Sequence, residues 1–138
     1  MSRVVSKNLI SVLKVLSFKS NLRYGMLTYD EIKRIVDNAK KPLVKIGNNT
    51  WLLKTNKGYG IKYHNTVIIE ILPHDLYVLD VNGWETSTTK ERMNQLLPIR
   101  IYSDKGVWYF NKPGDHNKKN RVAYEDGMII NKDGDVVG

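Results

Sequence analysis

Val5, Leu9, Val12, Leu13 and Leu16 recur at the spacing of one helical stripe, with Lys7, Ser11 and Lys14 on the opposite face. The pattern predicts an amphipathic helix over residues 4–18. A second helix is predicted over 28–41. There Thr28 and Glu31 make a capping box, the threonine hydroxyl accepting the Glu31 N–H while the carboxylate reaches back. Ile32, Ile35, Val36 and Ala39 form its apolar stripe, Lys40 and Lys41 suit the negative end of its dipole, and Pro42 stops it. Residues 19–26 read as the loop between the two.

From Leu43 the apolar period shortens to that of strands. Residues 43–46, 51–55, 59–64, 66–72, 76–81 and 84–86 alternate in this way, with Gly, Asn or Pro turns between them. Thr88 and Glu91 then suggest a second capping box, opening a short helix with Met93, Leu96 and Leu97 on its apolar edge and Pro98 at its close. Residues 99–102 and 107–110 pair as a hairpin. Residues 111–120 read as a mobile surface loop, and 121–124, 128–130 and 136–137 as the last short strands. The fold class is therefore α+β: two N-terminal helices followed by an antiparallel β meander or half-barrel with one short inserted helix. Residues 1–41 are expected to form a helical arm and 42–138 a β-rich domain.

Composition narrows the chemistry. The 138 residues are 41% hydrophobic and 26% charged, the balance of a globular chain. The absence of cysteine removes disulfides, thiolate nucleophiles and cysteine-ligated zinc. Lys7 and Lys14 interrupt the N-terminal apolar run, so it is expected to be neither a signal peptide nor a membrane span. The net charge is +8, and residues 1–29 contribute five bases and no acid. Each of the stretches 30–42, 43–98 and 99–138 adds only +1. A clustered positive field attracts polyanions such as nucleic acid, although a basic surplus also simply aids solubility.

The candidate site is the stretch from Trp84 to Asn94, with Trp84, Thr88, Thr89, Lys90, Arg92 and Asn94 as nucleic-acid-binding residues. A helix start offers unpaired N–H groups and partial positive charge to a phosphate, Lys90 and Arg92 add charge, and Trp84 can stack on a base. The same residues also make an ordinary helix cap, with Glu91 opposing an anion. A second grouping, Tyr59, Tyr63, Trp108 and Tyr109 with Lys57, Lys62, Arg100 and Lys105, resembles a strand-binding sheet face. Strand alternation, however, puts Tyr59 and Tyr63 with Ile61 on a core face. His64, His74 and His116 lack metal-ligand spacing, and no nucleophile elbow or glycine-rich phosphate loop occurs. No metal, no cofactor and no catalytic residue is expected.

Residues 63–68, the Pro73 turn and the block Gly83-Trp84-Glu85-Thr86-Ser87-Thr88-Thr89-Lys90-Glu91-Arg92-Met93-Asn94 resemble a family of small proteins encoded by tailed bacteriophages. Gly106-Val107-Trp108-Tyr109-Phe110 and Glu125-Asp126-Gly127-Met128 continue the likeness. Family members carry Gly-Gly where this chain has Asn82-Gly83. The resemblance implies a phage origin and a β-rich fold rather than a reaction. Two functions are expected from the whole reading. One is a viral accessory protein in the host cytoplasm that binds nucleic acid or a nucleotide through a basic surface. The other is a module contacting a host or viral protein through helix 4–18 or loop 111–120. Open sheet edges also favour a homo-oligomer.

Overall fold

The computed structural model describes residues 26–138, so the helix expected over 4–18 lies outside the described residues. The fold is α+β. Helix α1 (Tyr29–Asp37) precedes five strands in a meander: β1 (Val44–Gly47), β2 (Thr50–Lys54), β3 (Tyr59–Tyr63), β4 (Thr66–Leu72) and β5 (Leu76–Leu79). Helix α2 (Ser87–Asn94) follows, then β6 (Ile101–Asp104), β7 (Val107–Phe110), a 3₁₀ turn (Lys118–Asn120), β8 (Val122–Ala123) and β9 (Met128–Ile130).

The strands do not form one continuous meander. They divide into a six-stranded sheet, ordered β1-β2-β3-β4-β5-β9, and a three-stranded sheet, β6-β7-β8, antiparallel throughout. The last strand returns to the first sheet because Tyr77, Val78 and Leu79 pair with Ile130, Ile129 and Met128. Beyond it, Val136 bridges Ile130, and the Ile129 N–H and C=O bond to Gly138 and Val137, which covers the β9 edge.

The capping box of α1 forms as its sequence indicates, with the Thr28 hydroxyl accepting the Glu31 N–H and the Glu31 carboxylate accepting the Thr28 N–H. The helix is shorter than expected. It closes at Asp37, where the N–H of Asn38 donates to the Arg34 carbonyl and that of Ala39 to the Val36 carbonyl, so Lys40, Lys41 and Pro42 lie beyond its end. Ile32 and Val36 face the sheet. Polar bonds fix the helix there: Tyr59 Oη donates to Asp37 at 2.7 Å, and the Tyr29 N–H donates to Asp75 at 2.7 Å. Just upstream, the Leu27 carbonyl accepts from Tyr77 Oη, and its N–H donates to the Leu96 carbonyl. Leu27 therefore belongs to the same core as Ile61, Ile69, Ile71, Tyr77, Leu79 and Phe110. Each fully buried aliphatic side chain there contributes about 1.5–3 kcal/mol relative to exposure.

The register slips between β3 and β4, as it also does between β1 and β2 after Lys45. Ile61 opposes Ile69 but Lys62 opposes Val67, leaving Ile68 as the extra residue of a bulge. Strict alternation would turn one of Ile68 and Ile69 to solvent, whereas the bulge buries both. Gly58 serves close packing of another kind: a Cβ there would lie 2.2 Å from the Ile71 carbonyl oxygen. The stretch 111–120 is a surface loop, but a braced one. Asp115 accepts from the Asn117 N–H and Asn120 Nδ2, and Asn111 Nδ2 donates to the Asn117 carbonyl.

Candidate functional site

Residues 84–86 are not a strand. After β5 the chain makes successive tight turns, with the Trp84 N–H donating to the Val81 carbonyl, Glu85 to Gly83 and Thr86 to Trp84. Asn82 and Gly83 both take positive φ, 52° and 80°, a conformation that asparagine tolerates better than most side chains. A two-residue left-handed turn therefore forms here with a single glycine.

One carboxylate holds this turn in place. Asp126, far along the chain, accepts the N–H groups of Val81 and Gly83 at 2.9 Å each and the Tyr124 hydroxyl at 2.6 Å. Burial opposes ionisation of Asp126, but these three donors outweigh it and hold the carboxyl below its ordinary range. Burial, then the adjacent carboxylate, pushes the Tyr124 hydroxyl well above the usual phenol value, so it stays a donor.

The helix that follows opens two residues earlier than its sequence suggested. Thr86 is the N-cap. Its extended backbone (φ −106°, ψ 157°) leads into Ser87, and its hydroxyl accepts the Thr89 N–H at 3.2 Å and contacts Thr89 Oγ1 at 2.9 Å. Thr88 thus lies inside the first turn, and the expected box with Glu91 does not form. The first turn carries no acid.

This shift re-aims the basic residues. Lys90 makes the first full helical turn through its N–H to Thr86, and Arg92 falls in the last turn. The Arg92 guanidinium lies 5.5 Å from the Tyr63 ring centroid and donates to Gln95 at 3.0 Å. Lys90 and Arg92 therefore do not share the helix start. Asn94 is buried and engaged elsewhere: its Nδ2 donates to the Ile101 carbonyl at 2.9 Å and its Oδ1 accepts the Ile101 N–H at 2.7 Å. It ties α2 to β6 as a ladder partner would.

Trp84, Thr88 and Thr89 come together with residues the sequence reading did not group with them. Tyr63, His64, Asn65 and Thr66, from the β3–β4 turn, face Trp84, Thr86, Thr88 and Thr89 across a cleft of about 390 Å³ that also touches Ile68 and Val81. The Tyr63 and His64 rings meet at 4.4 Å, and the His64 N–H is fixed to the Asn49 carbonyl at 2.7 Å. Trp84 is 65% exposed. The lining holds hydroxyls, an amide, an imidazole and aromatic rings but no carboxylate and no lysine or arginine. Such a surface suits a flat, polar, uncharged group better than a phosphate. Asp126, and Tyr63 to Thr66 of the β3–β4 turn, are the residues that sequence reasoning left out of the site. The motif Glu125-Asp126-Gly127-Met128 was the available signal for the first.

A family model described as Kyanoviridae Gp96 protein matches residues 31–131, spanning the Trp84 turn, α2 and Asp126. The chain belongs to this family. It is a phage protein family, in agreement with the resemblance carried by residues 83–94. No curated protein and no solved structure matches the chain. Among the described residues, no helix is long and apolar enough to cross a membrane.

Proposed function

We propose that this phage protein binds nucleic acid or a nucleotide in the host cytoplasm, taking a base into the cleft against Trp84. The observation that carries the reading is the exposed Trp84 indole on an anchored turn, beside a cleft lined by neutral polar and aromatic groups. A large aromatic left in water on a fixed backbone is a ready stacking surface, worth about 1–3 kcal/mol per base. Thr86, Thr88, His64 and Asn65 supply hydrogen-bonding groups for base edges. The overall charge of +8, with five bases in residues 1–29, supplies long-range attraction to phosphate.

Trp84→Ala tests the reading. Trp51 is only partly exposed and Trp108 is buried, so quenching of wild-type tryptophan fluorescence by oligonucleotides should come mainly from Trp84. The variant should lose that quenching and about 10-fold in affinity, within the stacking range. Unchanged affinity in the variant would take the base out of this cleft, whereas wild-type binding that is absent or ignores ionic strength would favour the other reading, contact with a host or viral protein through loop 111–120 or helix 4–18.

A further inference from the structure

The outer face of the three-stranded sheet carries a second grouping. Ile101, Trp108 and Phe110 turn inward, while Tyr102, Tyr109 and Arg121 are half-buried on the opposite side. Tyr102 and Tyr109 pair directly across β6 and β7, their ring centroids 6.1 Å apart and their planes at 34°. The Arg121 guanidinium lies over the Tyr109 ring at 3.7 Å and donates to the Asp104 carboxylate at 2.8 Å. The face thus offers one tyrosine ring and, next to it, a guanidinium held over a second. The sequence had grouped Tyr109, Arg100 and Lys105 with Tyr59, Tyr63 and Trp108. The fold buries Tyr59 and Trp108, puts Tyr63 in the cleft, and brings in Tyr102 and Arg121 instead.

Charge distinguishes this face from an ordinary half-covered sheet. Residues 99–121 hold six bases and two acids, a net +4 within a chain of +8. Lys112 is paired with Asp135. Arg100, Lys105, Lys118 and Lys119 form no ion pair with a described residue. Arg100 shares the strand parity of Tyr102, and Lys118 and Lys119 sit in the exposed 3₁₀ turn leading into Arg121.

We infer that this face binds single-stranded nucleic acid, one base stacking on Tyr102 and the next on the Arg121 guanidinium over Tyr109, with phosphates passing Arg100, Lys118 and Lys119. Rings and guanidinium planes on a sheet accept unpaired bases, whereas a duplex keeps its base faces covered. The inference takes its ligand class from the nucleic-acid reading above but rests on different residues.

Anisotropy titrations of the full chain with a labelled oligo-dT and a duplex of equal length test it. Tyr102→Leu with Arg121→Gln should weaken oligo-dT binding about 10-fold or more, and Tyr102→Phe should stay within about two-fold of wild type. Lys118→Gln with Lys119→Gln, at exposed positions, should reduce the salt slope by about 1.4 units. Should the first double variant fail to fold, this second one decides. Unchanged oligo-dT affinity in the stacking variant overturns the inference, and so does an equal loss for the duplex or a Tyr102→Phe defect as large as that of Tyr102→Leu. Trp84→Ala separates the two readings. If it alone weakens binding, the cleft stands and this face falls; if only the sheet variants do, the reverse holds. Absence of oligonucleotide binding by the wild type overturns both.

Discussion

Asp126 shows how much one side chain can organise. Its carboxylate bonds to two backbone N–H groups and one phenol, and so holds the turn that presents Trp84. Because the folded carboxyl titrates below its ordinary value of about 3.9, its contribution is fully present above that pH and is lost as pH falls through the folded value. Asp126→Asn should therefore lower stability at neutral pH by on the order of 1 kcal/mol, discounted for the exposure of the group. The deficit should shrink in acid, as melting curves of the two proteins at pH 7 and pH 3 would show. A constant deficit would mean that the charge is not what matters. Little in the sequence marked Asp126 for this role. Aspartate before glycine is ordinary turn chemistry, and its partners lie 43 and 45 residues away.

At the scale of elements, the start of α2 separates two threonines that look equivalent in sequence. Thr86→Ala removes the N-cap hydroxyl and should cost about 1 kcal/mol. Thr88→Ala, inside the first turn, should stay within about 0.5 kcal/mol of wild type. Thermal or denaturant unfolding of the two variants decides between these cap positions. Pattern alone favoured Thr88 because Glu91 completes a capping box with it. The fold selects Thr86, whose extended backbone follows directly from the anchored turn. In α1 no such competition arises, and there the box at Thr28 and Glu31 forms as its residues indicate.

On the scale of the whole molecule, the described core runs from Leu27 to Ile130. The strands are expected to supply their own core. Deleting residues 1–20 should therefore preserve the β signal in circular dichroism. Loss of that signal would make the N-terminal segment part of the main core. The same deletion removes four bases, Arg3, Lys7, Lys14 and Lys19. Weaker oligonucleotide binding at low salt in a folded truncated chain would be the electrostatic share of that segment.

The sequence by itself determined whatever depends on neighbours along the chain. The capping box of α1, the strand segments β1 to β5 with the turns between them, the β6–β7 hairpin and the short helix before Pro98 all follow from local spacing, and so does the phage-family block at residues 83–94. Only the tertiary structure decided what depends on distant partners. It sent β9 back to β5, split off a second sheet, and placed Asp126 under the Trp84 turn. It also set Tyr63 beside Trp84 in one cleft and turned Tyr102 and Tyr109 outward with Arg121. The physical reason is that hydrogen-bond register and burial are settled between segments. Alternation says that two tyrosines face opposite sides or the same side, but the strand paired beside them and the layer packed beneath them decide which side is the core.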